Sequence, residues 1–162
     1  MAKKKRAEAK TKGAEAKKKS AEEKSKSKDR FDIDGYDEIH DVVDLAMRGA
    51  AEGNLKKLGR AFHKNAWMFG EVFGMRYDAP IEVFFELCEK HPLGEAGNYR
   101  SRIVSITRVG DAAMAMVAED GCWGTASFVD LFTVTRIRGK WKITNKTFAY
   151  TGGGVPDEVL AD

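Results

Sequence analysis

Large side chains recur at helical spacing across residues 34–53. They are three or four positions apart and would line one side of a helix: Tyr36, Ile39, His40, Val43, Met47 and Ala50. Asp34 is placed to cap the amino end of this helix, and Gly53 is a natural stop. The pattern predicts a first helix of about five turns.

Two shorter helices and a series of strands follow. Asn54 is placed to cap a second helix that ends across residues 62–66, and a third helix is predicted from residues 78–80 to His91. Residues 67–77 indicate a strand, or a strand pair bent around glycines. Four long antiparallel strands then complete the pattern, at residues 99–109, 112–121, 124–137 and 140–150.

This order of elements predicts an α+β fold and not alternating βαβ units. The later strands are apolar on both faces, whereas an antiparallel sheet with one solvated face alternates more cleanly. Three helices can cover only one face. We therefore predict that a second copy of the chain covers the other, giving a homodimer through the sheet.

Charge divides the chain into an arm and a body. Residues 1–30 hold 13 of the 28 basic and 5 of the 25 acidic residues, a net charge of +8, which leaves a net charge of −5 for the remainder. The arm has no large apolar residue after Met1, so it is expected to be disordered. The predicted organisation is an arm at residues 1–30, one domain at residues 31–151 and a loose tail at residues 152–162.

Composition indicates a cytoplasmic protein that does not insert into membranes. Cys88 and Cys122 form no CxxC or Cys/His cluster, so reduced thiols are expected. No apolar run reaches the roughly 18–20 residues needed to span a bilayer. No dinucleotide or phosphate motif is present, and the three histidines lack metal-ligand spacing, so neither a cofactor nor a metal is predicted.

Residues 36–150 resemble the nuclear-transport-factor-2-like superfamily, also called SnoaL-like or ketosteroid-isomerase-like, and within it the putative lumazine-binding subgroup. The resemblance rests on residues 53–58, 62–66, 110–113 and 139–148, with Asp130-Leu131-Phe132 preceding the last segment. It implies a curved antiparallel sheet wrapped around three helices to form a cone-shaped cavity. It also implies frequent dimerisation through the sheet. Because members include both enzymes and proteins without chemistry, the fold does not decide the function.

Asp130 is the leading candidate for a functional residue. It lies between Phe128 and Phe132 at two-residue spacing, so all three side chains are expected on one face of a strand. Desolvation among aromatic rings would raise the pKa of this carboxyl and suit it to proton transfer. The alternative is a structural carboxylate paired with Lys146 or Arg136, or with a tryptophan N–H.

Other candidates would complete a pocket around Asp130. His40 or Tyr36 would be its partner in proton transfer, although a lone histidine on an apolar helix face is more often a core residue. Strand alternation from Trp141 places Asn145 inside and Lys146 outside, unless a bulge reverses them. The predicted ligand-binding set is Tyr36, Trp67, Phe69, Phe128, Phe132 and Asn145.

Three hypotheses follow for the function. The first is a dimeric small-molecule-binding domain with an apolar cone and Asp130 as its polar anchor. The second is a cofactor-free lyase or isomerase in which Asp130 exchanges a proton with His40 or Tyr36. The third is a module that binds nucleic acid or another polyanion through residues 1–30.

Overall fold

Helix α1 (Ile33–Glu52) opens the part of the chain described by the computed structural model, which covers residues 33–161. The predicted first helix is confirmed, and its buried stripe follows helical spacing: Ile39, Val43, Ala46, Met47 and Ala50. Asp34, expected to precede the helix, lies in its first turn. The basic arm predicted at residues 1–30 lies outside the described residues.

A two-residue break separates α1 from helix α2 (Leu55–Ala61). Gly53 ends α1 with a φ of 63°, and Asn54 caps α2, because its Oδ1 accepts a hydrogen bond from the Lys57 N–H at 3.1 Å. Both predicted roles are confirmed. Residues 62–66, predicted to end the second helix, instead begin a strand.

Strand β1 (Phe62–Val72) starts where it does because Phe62 is buried in extended backbone. Its ring packs edge-on against those of Phe85 and Phe132, at centroid distances of 5.5 and 6.0 Å. His63, within the residues predicted to end the second helix, is therefore a strand residue. Its Nδ1 accepts a hydrogen bond from the Asn65 N–H at 3.1 Å.

Strand β2 (Met75–Pro80) pairs antiparallel with β1. Residues 78–80, predicted to start the third helix, complete this strand instead. The Asp78 carboxylate accepts a hydrogen bond from the indole N–H of Trp67 at 2.8 Å, which ties the two strands together. Helix α3 (Ile81–Lys90) follows directly and ends before His91, as predicted.

Four long strands complete a six-stranded curved sheet: β3 (Arg100–Val109), β4 (Ala112–Cys122), β5 (Ala126–Ile137) and β6 (Lys140–Gly152). The strand order is β2-β1-β6-β5-β4-β3, and the β1–β6 pair is parallel while the other pairs are antiparallel. The predicted α+β class is confirmed, with this one parallel pair inside the sheet.

The sheet has a buried concave face and a more exposed convex face. Helices α1, α2 and α3 pack against the concave face, where Ala115, Val117, Phe132 and Val134 are buried. The convex face carries Trp67, Phe69, Met114 and Leu131, all partly exposed. The core therefore lies between the helices and the concave face.

The C-terminal segment, residues 152–161, was expected to be a loose tail but is anchored to the body. The Thr125 hydroxyl donates to the Gly154 carbonyl at 2.9 Å and accepts from the Gly154 N–H at 3.2 Å. Gly153 has a φ of 86°, and a Cβ there would lie 1.8 Å from the Thr125 carbonyl oxygen, so glycine is required. Helix α4 (Asp157–Leu160) then buries Val159.

Candidate functional site

A cavity lies between the concave face, α3 and the C-terminal segment. It offers about 60 Å³ to the centre of a water-sized sphere, several times the ~15 Å³ needed for one water molecule. Twelve of its fourteen lining residues are apolar or aromatic, and the other two are Glu119 and Lys146. The apolar wall includes Met68, Tyr77, Phe84, Phe128, Phe148 and Val159.

Three neighbouring strands each contribute a buried charged side chain to this region. Glu119 comes from β4, Asp130 from β5 and Lys146 from β6, with exposed fractions of 4%, 0% and 4%. Asp130 Oδ2 forms an ion pair with Lys146 Nζ, whereas its Oδ1 accepts no hydrogen bond from residues 33–161. Glu119 Oε1 accepts a hydrogen bond from the Tyr99 hydroxyl at 2.8 Å.

A β-bulge in β6 turns Lys146 toward the cavity. The pairing of β6 with β5 skips Thr144, which is therefore an extra residue on β6. The Thr144 hydroxyl donates to the Thr133 carbonyl at 3.2 Å. Ile143 faces the core before the bulge and Lys146 faces it beyond the bulge, because the extra residue shifts the alternation by one.

This bulge corrects the prediction for Asn145. Strict alternation would place Asn145 inside and Lys146 outside, and the structure has the opposite arrangement. Asn145 lies on the other face of the strand, where its Oδ1 accepts a hydrogen bond from the Thr147 hydroxyl at 3.0 Å. The cavity therefore presents an ammonium group where strict alternation would place an amide.

The Glu119 carboxyl has a strongly shifted pKa. Burial raises the pKa and the negative charge of Asp130 raises it further, while Lys146 and the Tyr99 hydroxyl lower it, and the resulting pKa is about 7. Near neutral pH, this carboxyl is therefore present in both its protonated and ionised forms. A group poised in this way can accept or donate a proton at physiological pH.

The Asp130–Lys146 pair is a buried ion pair. Burial alone would lower the pKa of Lys146, but the carboxylates of Asp130 and Glu119 outweigh it, so this pKa lies above its ordinary value. Burial raises the pKa of Asp130, and the ammonium of Lys146 offsets part of that rise. Lys146 Nζ also lies 4.9, 5.5 and 5.4 Å from the ring centroids of Phe84, Phe132 and Phe148. These rings favour the ammonium form, so Lys146 is a hydrogen-bond donor and not a nucleophile.

The residues predicted on β5 do share the concave face. Phe128 lines the cavity, Asp130 lies behind the ammonium of Lys146, and Phe132 is fully buried in the core. Of the two interpretations left open for Asp130, the structure has the pairing with Lys146. Asp130 therefore acts on the cavity through Lys146 and does not line it.

The other predicted site residues lie elsewhere. Trp67 and Phe69 are on the convex face, 40% and 37% exposed, because Met68 between them takes the inward position on β1. Tyr36 is half-buried in the first turn of α1 and does not line the cavity. The His40 side chain is 57% exposed and its Nδ1 lies 3.9 Å from Asp41 Oδ1, so the structure does not place it beside the buried Asp130.

Sequence reasoning missed Glu119, and it named Lys146 only as a possible partner of Asp130 and not as a residue of the cavity wall. A signal for Glu119 was available in β4, where buried Ala113, Ala115 and Val117 precede it at two-residue spacing. The period of two extends the buried face to Glu119 and marks it as a charge in the core. The inward orientation of Lys146 could be predicted only by locating the bulge at Thr144.

Two further absences concern the part of the chain that the structure describes. Within residues 33–161, no group of three or more His, Cys, Asp or Glu side chains is arranged to hold a metal ion. Among the helices of the same residues, none has the length and apolar character to cross a membrane.

Helices packed into the concave face of a curved sheet, with a cavity between them, define a protein of the nuclear-transport-factor-2-like class. Residues 34–149 match the model of the putative lumazine-binding family, and the chain belongs to that family. The class and the subgroup suggested by the sequence resemblance are both confirmed.

Solved structures support the same assignment. An NTF2-like protein of unknown function from Methylobacillus flagellatus KT is 32% identical, with a TM-score of 0.70, over 76% of this chain and 98% of that one. An NTF2-like protein of unknown function from Shewanella baltica OS155 is 25% identical, with a TM-score of 0.68 and the same coverage of 76% and 98%. No curated protein matches the chain.

Proposed function

We propose that the chain is a small-molecule-binding domain whose ligand occupies the cavity beside Glu119 and Lys146. The observation that carries the proposal is an apolar cavity whose lining includes two side chains that are both ionisable and about 96% buried. Burying charge in this way is costly, and ligand pockets combine apolar walls with a few placed polar groups. The family to which the chain belongs also supports a small-molecule ligand.

Lumazine itself is not the ligand that we propose. Lumazine is a flat heterocycle with hydrogen-bonding atoms on both rings, whereas the charged groups of this lining are confined to Glu119 and Lys146. Such a ligand would leave several of its polar atoms against apolar walls, which is unfavourable.

The proposal is tested by NMR titration of methyl-labelled protein with a library of small apolar and weakly polar molecules. Binding in the cavity should shift the methyl signals of Met68, Leu87 and Val159, which line it. The methyl signals of Val83 and Val104, which are exposed elsewhere, serve as controls. A library that shifts no cavity methyl group would contradict the proposal.

A second candidate is a cofactor-free lyase or isomerase, favoured by the pKa of about 7 at Glu119. Glu119 replaces Asp130 as the proposed base, because Asp130 is held by Lys146, and Tyr99 replaces His40 as its hydrogen-bonded partner. Exchange of the α-protons of butanone in D₂O, followed by NMR, tests this chemistry. Glu119→Gln should abolish the exchange, and equal exchange in both proteins would exclude Glu119 as the base.

We also propose that the domain forms a homodimer through its convex face. The partly exposed Trp67, Phe69, Met114 and Leu131 on one face support it, because grouped apolar side chains mark interaction surfaces.

The two cysteines, both free and buried, support the cytoplasmic location proposed from the sequence. Polyanion binding by residues 1–30 remains a proposal from charge alone, tested by whether deleting them abolishes salt-sensitive binding to heparin.

A further inference from the structure

We propose that the ligand of this cavity is a compact, neutral molecule with an apolar body and a single hydroxyl group, which binds between Lys146 and Glu119. The inference rests on the proposed function, because it takes the cavity to be the ligand site. It adds the chemical class of the ligand and the two residues that select it.

The enclosed part of the cavity has room for only a few heavy atoms. Its volume of about 60 Å³ is well below the ~150 Å³ of an apolar cavity that accommodates benzene. The C-terminal segment contributes Val155, Val159 and Leu160 to the wall and is anchored through Thr125, so it limits the space on that side. A branched aliphatic body of four or five heavy atoms matches this space better than an aromatic ring.

The two charged residues of the cavity wall, Lys146 and Glu119, match a ligand group that both accepts and donates a hydrogen bond. Lys146 Nζ has three N–H bonds, and Asp130 Oδ2 accepts a hydrogen bond from one of them. The ammonium group also faces the ring of Phe84 and the cavity. Glu119 uses Oε1 to accept from Tyr99 and keeps a second carboxyl oxygen. A hydroxyl oxygen can accept from Lys146 while its proton is donated to Glu119, so a hydroxyl group has both of the hydrogen-bonding functions that match these two residues.

The charges of the wall disfavour ionic ligands. An anion would lie beside the carboxyl groups of Asp130 and Glu119, and a cation would lie beside the ammonium of Lys146. Either ion would also lose its hydration against an apolar lining. A neutral hydroxyl avoids both penalties and still forms a charge-assisted hydrogen bond.

A matched series of small molecules tests this inference on the full chain. Isobutanol, isopentane, isobutylammonium and isobutyrate share one branched body and differ in the polar group. Each is titrated at pH 7 while the methyl signals of Met68, Leu87 and Val159 are followed by NMR, with Val83 and Val104 as controls. Isobutanol should bind about tenfold more tightly than isopentane, as expected for one hydrogen bond to a charged donor, and more tightly than either ion.

The outcomes separate this inference from the proposed function. Equal affinity for isopentane and isobutanol at the cavity would leave the proposed function standing and overturn the hydroxyl assignment. Tighter binding of isobutylammonium or isobutyrate would overturn the neutral class. If no member of the series shifts a cavity methyl group, the cavity does not bind small molecules and both proposals fail.

Two variants test whether Lys146 and Glu119 cause the preference for isobutanol over isopentane. Asp130→Leu/Lys146→Met removes both partners of the ion pair, so neither is left as a lone buried charge. This variant should keep isopentane binding and lose the tenfold preference for isobutanol. Glu119→Leu should reduce the preference severalfold, because the proton of the hydroxyl loses its acceptor. A preference that is unchanged in either folded variant would overturn the assignment of that residue.

Discussion

The concave and convex faces of the same sheet distribute charge in opposite ways. The concave face holds Glu119, Asp130 and Lys146, all buried, within an otherwise apolar core. The convex face exposes Trp67, Phe69, Met114 and Leu131 by 37–53%. Each face therefore departs from the usual distribution in its own way, with three charged side chains buried on the concave face and large apolar side chains exposed on the convex face.

The buried charges of the concave face and the exposed apolar side chains of the convex face differ in their energetic cost. A buried charge costs several kcal/mol unless a partner offsets it, whereas a partly exposed apolar side chain costs little. The concave face is therefore the part of the molecule most sensitive to substitution, and its charges are the better indicators of function. The convex face should respond mainly in its association with another chain.

The largest effect is expected on removing one partner of the buried ion pair. Asp130→Asn leaves the ammonium of Lys146 buried without its counter-ion and should lower the free energy of unfolding by about 3–5 kcal/mol, measured by urea denaturation. Asp120→Asn is the matched control, because Asp120 forms an exposed ion pair with Arg100 and should change much less.

The double variant Asp130→Leu/Lys146→Met distinguishes a lone charge from lost packing. It should recover most of the stability lost in Asp130→Asn, because neither Asp130 nor Lys146 remains as an unpaired charge. Equal losses in Asp130→Asn and Asp120→Asn would show that the concave pair is no more important than a surface pair.

The second effect is a pH dependence of stability carried by Glu119. Its pKa of about 7 in the folded chain lies above the ordinary value of 4.5, so the folded chain binds more protons between these values. Stability should therefore fall as pH rises from about 4.5 to 7, by up to about 3 kcal/mol. Asp130, Lys146 and Tyr99 face this carboxyl, and the raised pKa of Asp130 acts in the same direction.

Denaturation with urea across this pH range measures the effect. Glu119→Gln should flatten the pH profile, while Asp120→Asn should leave its slope between pH 5 and 7 in place because the pKa of Asp120 is lowered by its hydrogen bonds to Arg100 and Ser127. A wild-type profile that rises over the same range would show that Glu119 is ionised in the folded chain throughout.

A smaller effect is expected at Gly70, where the concave face packs closely. A Cβ at Gly70 would lie 2.4 Å from the ring of Phe148, a cavity residue, so Gly70→Ala must displace that ring. We expect a loss of about 1–3 kcal/mol in unfolding free energy. In Gly59→Ala, the matched control on α2, the new Cβ meets nothing within 4 Å and should stabilise the helix by about 0.5–1 kcal/mol. A stabilised Gly70→Ala would mean that the ring of Phe148 moves freely.

The smallest effect on stability is expected on the convex face. Leu131→Lys should change the unfolding free energy by only about 0.5 kcal/mol but lower the molecular mass measured by analytical ultracentrifugation to that of a monomer. Val83→Lys, at an exposed position on α3, should leave the mass unchanged. A dimer that persists in Leu131→Lys would place the interface on another surface.

Much of the fold could be predicted from local pattern. Helix α1, the capping residue Asn54 and the stop at Gly53 follow from side-chain spacing and backbone preference, which act over a few residues. Errors occurred where a tertiary contact overrode the local signal. The burial of Phe62 makes residues 62–66 a strand, and the pairing of β2 with β1 delays the third helix to Ile81.

Local pattern was sufficient to group the residues of one face of β5, because a strand has a fixed period of two. Asp130 is therefore buried with Phe128 and Phe132. The partner of Asp130, in contrast, depends on how the strands pair in the folded sheet. The bulge at Thr144 shifts the alternation of β6 by one residue and brings Lys146 inward in place of Asn145. A bulge depends on how two strands pair, which is a property of the folded sheet and not of either segment alone.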